Sequence, residues 1–139
     1  MPDRYIIVLV GTDKEVDKIL PKNVISIHRT QDQQELAEIY SAADVFINPT
    51  KEDNYPTVHM EALACGTPVL TFNTGGAPEM LTNKCGSVIE YNNINELEKE
   101  IYYRCEDRPF KQEDCLEQAK QFDENMRYQE YLNLYKSLL

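Results

Sequence analysis

Asn48-Pro49-Thr50-Lys51-Glu52-Asp53-Asn54-Tyr55-Pro56-Thr57-Val58-His59-Met60-Glu61-Ala62-Leu63-Ala64-Cys65-Gly66-Thr67-Pro68-Val69-Leu70 is the stretch that decides the fold of this chain. It reads as a strand end, a polar loop, a short helix starting near Pro56, a turn at Gly66 and the next strand. Working outward, the same alternation repeats on both sides. Upstream, Tyr5–Val10 is a continuous apolar, β-branched run ended by Gly11, which predicts a strand buried on both faces. Asp13–Leu20 predicts a short helix with Val16, Ile19 and Leu20 inward, stopped by Pro21, and Val24–Ile27 a second strand. After the loop His28-Arg29-Thr30, a helix runs to Tyr40 with Leu36, Ile39 and Tyr40 on one face and Asp32 or Thr30 as cap. The third strand is Ala43–Pro49.

Downstream, Thr67–Phe72 predicts the fourth strand. Asn73–Leu81 is a Gly-rich loop entering a helix with Pro78 near its first turn, and Cys85–Glu90 is a short fifth strand. Ile94–Arg104 is amphipathic, with Leu97, Ile101 and Tyr102 inward, and Glu113–Leu139 is helical with a break near Phe122-Asp123. Alternating helices and apolar strands define an α/β domain: a Rossmann-like parallel sheet with helices on both faces. Ligands of such folds sit at the carboxyl ends of the strands. The loops His28–Thr30, Thr50–Tyr55 and Asn73–Gly76 all follow strands and belong to that edge.

The totals fit one domain spanning residues 1–139, with 42% hydrophobic and 27% charged residues. The net charge of -10, from 14 basic and 24 acidic residues, argues against a nucleic-acid or anionic-membrane surface. No apolar run approaches the ~20 residues that span a bilayer, and no signal-peptide layout opens the chain, so a cytoplasmic location is expected. Cys65, Cys85, Cys105 and Cys115 form no C-x-x-C pair and have no His at metal-ligand spacing; they are expected to be reduced thiols.

A helix start at Tyr55-Pro56-Thr57 offers unpaired N–H groups and the positive end of a dipole, which suits a phosphate. Glu61 lies at i+4 from Thr57, on the same face. A carboxylate repels phosphate but can accept two hydrogen bonds from a vicinal diol such as a ribose. Together these describe a nucleoside diphosphate, with Asp53 in the preceding loop positioned for sugar hydroxyls. The plainer reading makes Glu52 and Asp53 a capping turn and Glu61 a solvated helix face. The small, apolar flank Ala62-Leu63-Ala64-Cys65 favours the ligand reading, because a carboxylate set into a buried helix needs a partner. His28 reads as a loop histidine without a role, and His59, about 200° around the helix from Thr57, as packing or surface.

The segments Asp44–Thr50, Glu52–Pro56, Glu61–Val69 and Gly75–Glu79 resemble the C-terminal, donor-binding domain of GT-B retaining glycosyltransferases of family 4. The resemblance runs from about Tyr5 to the end. In that family two acids separated by seven residues contact the donor, corresponding here to Asp53 for the transferred sugar and Glu61 for the ribose diol. The first is usually Glu, so Asp53 departs from the pattern and adjacent Glu52 can share its role. The resemblance further implies Asn54 and Tyr55 amides near sugar and phosphate, Thr57 at the helix start, and Arg29 and Thr30 in the loop bordering the base.

It also implies half of a GT-B fold lacking its usual first strand, the loop with an Arg and a Lys that neutralises the diphosphate, and the first helix. That strand is central in the order 3-2-1-4-5-6. Either the sheet closes up around its absence or another chain fills the gap, which makes self-association through the incomplete sheet an expectation. The implied function is donor binding for retaining transfer from a nucleotide sugar to a surface-glycan acceptor in polysaccharide biosynthesis. No cofactor or metal is expected, the N-terminal acceptor domain is a missing partner, and the chain alone is expected to be inactive. The full-length enzyme would be cytoplasmic or peripheral to the inner face of the membrane. Competing readings are a nucleotide-sugar epimerase of the same architecture and a non-catalytic α/β interaction domain.

Overall fold

The computed structural model describes residues 2 and 4–138 and resolves two compact units, Met1–Leu36 and Ala37–Leu139. In the first, β1 (Ile7–Val10) pairs in parallel with β2 (Val24–Ile27), Ile7 opposite Val24 and Val10 opposite Ile27. Between them α1 (Lys14–Asp17) begins at Asp13, whose Oδ1 accepts from the amides of Glu15 and Val16, both at 2.9 Å. The helix lasts a single turn, shorter than the expected Asp13–Leu20, and Ile19 is 81% exposed rather than inward. One turn cannot lay an apolar face on a sheet. Accordingly β1 is not buried on both faces: Ile7 and Leu9 are half-buried while Val8 and Val10 are exposed, the alternation of a strand covered on one side.

The helix α2 (Gln33–Ala42) is capped by Asp32, which accepts from the Glu35 amide at 2.9 Å while the Glu35 carboxylate takes the Gln31 N–H in return. In the second unit β3 (Phe46–Asn48), β4 (Val69–Phe72) and β5 (Gly86–Ile89) form a parallel sheet in the order β3-β4-β5. Phe46 faces Val69, and Phe72 faces Ile89. All four β4 residues are buried, as a central strand covered on both faces requires. On one side Leu70, Phe72 and Ile89 meet Leu97 and Ile101 of α4 (Ile94–Asp107). On the other, α3 (Thr57–Ala64) lies against β4 and is backed by α5 (Gln112–Lys120).

Among the described residues the strands thus fall into two parallel sheets, β1-β2 and β3-β4-β5, rather than one. The Gly-rich segment after β4 forms only a 3-10 turn, Ala77–Met80, because Leu81 is already extended at ψ 145°. The tail breaks where expected: α5 ends at Lys120 and α6 (Glu124–Leu138) begins after Asp123, whose Oδ1 accepts from the amides of Asn125 and Met126. Leu139 lies outside the described residues. The cysteines are free thiols, with Cys85 and Cys115 buried. Among the described residues no helix is long and apolar enough to cross a membrane.

Candidate functional site

The loop after β3, the start of α3 and the loop after β4 meet at the carboxyl edge of the three-stranded sheet. Two hydrogen bonds join the loops: Thr74 Oγ1 donates to Thr50 O at 3.1 Å, and the Gly76 amide to Asp53 O at 3.2 Å. The approach demands glycine. Gly75 has φ +53°, and a Cβ there would sit 1.9 Å from Asp53 O; a Cβ on Gly76 would lie 2.0 Å from Asn54 O. The glycine pair therefore fixes the height of Asp53 and Asn54 above the sheet.

Asp53 is half-buried, and its Oδ1 accepts from the Tyr55 amide at 3.2 Å. This turn is the capping arrangement of the plainer sequence reading, and it engages one of the amides expected to face a ligand. Glu52, Asn54 and Tyr55 are exposed, with the Tyr55 ring edge-on to Phe122 at 6.3 Å. At the start of α3, Pro56 is extended and caps through no side chain. Pro56 has no hydroxyl or carboxylate to fold back over the first turn.

Along α3 the helical period separates two faces. Thr57, Glu61 and Ala64 are exposed; His59, Ala62 and Leu63 are completely buried against the sheet. Glu61 itself is therefore not set into the core as its apolar neighbours suggested, because those neighbours turn inward and it turns outward. It still has a partner: the Tyr40 hydroxyl donates to its Oε2 at 3.2 Å. Burial, with Glu61 beside it, pushes the Tyr40 phenol well above its ordinary range.

His59 belongs to packing, as one of its sequence readings had it. Its Nε2 accepts from Asn48 Nδ2 at 3.0 Å, and Phe46 meets its ring edge-on at 6.3 Å. Nδ1 then carries the proton, and among the described residues it is buried with no partner. Burial holds the imidazole pKa down to about 4 against the pull of Asp53, so the ring is neutral. Sequence reasoning missed Tyr40 and Asn48, counting the first as core and the second as a strand end. A tyrosine at the end of a buried helical face was the available signal, since its hydroxyl needs a partner.

Arg29 and Thr30 lie in the first unit, in the loop after β2, Arg29 exposed and Thr30 half-buried. Their neighbour His28 does have a role there: its Nε2 meets Asp17 Oδ2 at 2.7 Å, tying the loop to α1. The Asp17 carboxyl is lowered from its ordinary value by Ser26 and by His28. The remaining expected site residues, Glu52, Asp53, Asn54, Tyr55, Thr57 and Glu61, are brought together within the second unit.

This architecture is a parallel α/β domain of the kind found in GT-B glycosyltransferases. Its backbone matches a sucrose-phosphate synthase from Thermosynechococcus elongatus with a TM-score of 0.80 at 23% identity, over 94% of this chain and 38% of that one. A glycosyltransferase from Rickettsia africae matches with a TM-score of 0.79 at 22% identity, over 96% and 40%. The model of the family "Glycosyl transferases group 1" matches residues 3–127, and the chain belongs to that family.

Two relatives add detail. An N,N'-diacetylbacillosaminyl-diphospho-undecaprenol alpha-1,3-N-acetylgalactosaminyltransferase from Campylobacter jejuni is 25% identical over 118 residues, 82% of this chain and 31% of that protein. A GDP-mannose-dependent monoacylated alpha-(1-6)-phosphatidylinositol monomannoside mannosyltransferase from Corynebacterium glutamicum is 34% identical over 71 residues, 46% of this chain and 19% of that protein. The chain spans about a third or less of the length of these relatives.

Proposed function

We propose that this chain is the donor-binding part of a retaining, family 4 glycosyltransferase that moves a sugar from a nucleoside diphosphate to a surface-glycan acceptor. The observation that carries the reading is the pairing of the α3 N-cap Pro56, whose side chain makes no cap bond, with Glu61 on the exposed face of that helix. The helix start receives the diphosphate. Thr57 contacts it, and the exposed Glu61 carboxylate accepts the ribose diol.

Asp53, its Oδ1 engaged by the Tyr55 amide, uses Oδ2 for hydroxyls of the transferred sugar, with Glu52 sharing that task. The Asn54 amide lies beside the sugar. Transfer rests on stabilising the leaving diphosphate and a cationic sugar, so positive groups supplied by the rest of the enzyme complete the site without a metal. The relatives support an envelope-glycan acceptor: the Campylobacter protein is named for a diphospho-undecaprenol substrate and the Corynebacterium protein for a phosphatidylinositol mannoside. Acceptor recognition and activity belong to the longer protein, so the chain alone binds donor and does not turn over.

A nucleoside, monophosphate and diphosphate series in uridine and guanosine tests this, each titrated into the chain by calorimetry. Affinity for one base should rise at each phosphate added. Equal affinity for nucleoside and diphosphate would refute the placement of the diphosphate at the helix start.

A further inference from the structure

We infer that Tyr40 is a positioning residue for the donor site, holding Glu61 so that the carboxylate meets the ribose diol in a fixed orientation. The inference rests on the reading of Glu61 as the ribose acceptor and extends it to a residue on a different element. Tyr40 lies near the end of α2 and is only 8% exposed. Three contacts lock it. Thr67 Oγ1 donates to its backbone carbonyl at 2.6 Å, Phe46 meets its ring edge-on at 5.3 Å, and its hydroxyl donates to Glu61 Oε2 at 3.2 Å.

Glu61, by contrast, is an exposed side chain with three rotatable bonds, and ordering it at the moment of binding opposes association. A donor anchored in the core removes part of that cost in advance. The bond also divides the carboxylate: Oε2 accepts the phenol hydrogen bond, leaving Oε1 and a second lone pair of Oε2 to accept from two vicinal hydroxyls. The phenol remains a donor because it is buried beside an anion, so the direction of the bond does not reverse. Tyr40 thereby acts on ribose recognition without touching the nucleotide.

The test uses this chain and four probes, UDP and GDP each beside its 2′-deoxy form, titrated by calorimetry into the parent, Tyr40→Phe and Glu61→Ala. For the base that binds, the parent should prefer the ribonucleotide and Glu61→Ala should lose that preference. Tyr40→Phe should reduce the preference about fivefold and leave affinity for the 2′-deoxy form unchanged, which also reports that the site is folded. Equal weakening of both forms by Tyr40→Phe would make the tyrosine merely structural and overturn the inference. An unchanged preference in Tyr40→Phe, with Glu61→Ala losing it, would overturn the role of Tyr40 alone. An unchanged preference in Glu61→Ala, or no binding of any probe, would overturn the ribose reading and the inference with it.

Discussion

Acid should destabilise this fold through His59. The imidazole is fully buried and its pKa is held near 4, against an ordinary 6.5, chiefly by burial. The sign follows from linkage: between those values the unfolded chain takes up a proton that the folded chain refuses, so stability falls as pH falls. The effect sets in as pH falls through about 6.5 and is nearly complete at pH 4. At about 1.4 kcal/mol per pH unit it amounts to roughly 3 kcal/mol, a large share of the ~5–15 kcal/mol of a typical domain.

Carboxylates titrate nearby, so the assay is a difference. Urea unfolding of the parent and of His59→Gln would be followed by circular dichroism from pH 7.5 to pH 4. Glutamine keeps an acceptor for the Asn48 amide and does not ionise. The stability of the parent relative to the variant should fall by roughly 3 kcal/mol across that range. Parallel profiles would refute the reasoning, because they would mean that His59 is protonated in the folded state or exposed to solvent.

Three further outcomes follow from the packing. Gly75→Ala places a methyl group against the Asp53 carbonyl at positive φ; it should cost more than about 2 kcal/mol in chemical denaturation and weaken nucleotide binding by displacing Asp53. Leu70→Ala, at a fully buried position of β4, should lower unfolding free energy by about 2–5 kcal/mol. With Cys115 buried and its thiol pushed up to about 12, limited alkylation of the native protein followed by mass spectrometry should modify the half-buried Cys65 and Cys105 well before Cys85 and Cys115.

The elements legible in the sequence were those whose pattern is dictated by burial on both faces. Val69–Phe72 is such a run and is the buried central strand. Tyr5–Val10 has the same composition, yet β1 is exposed at Val8 and Val10, because composition reports what a strand is suited to meet and not what lies beside it. Short segments went wrong for a related reason: Asp13–Leu20 and Ala77–Leu81 carry helical signals, but nucleation is costly and neither gains the packing that would extend a turn. At the site, the spacing of Thr57 and Glu61 gave their shared face correctly. The apolar residues next to Glu61 misled about its burial, since adjacent helical positions point in different directions. That Tyr40 needs a partner was legible, but which partner it and Asn48 meet was not, because Glu61 and His59 are distant in sequence and reach them only through the packing of α3.

The most direct test of the account is a calorimetric titration of this chain and of Glu61→Ala with UDP and with GDP. One of the two nucleotides should bind the parent saturably, and Glu61→Ala should weaken it about tenfold while still unfolding cooperatively. No binding by either nucleotide, or affinities indistinguishable between parent and variant, would contradict the placement of a nucleotide donor at the start of α3.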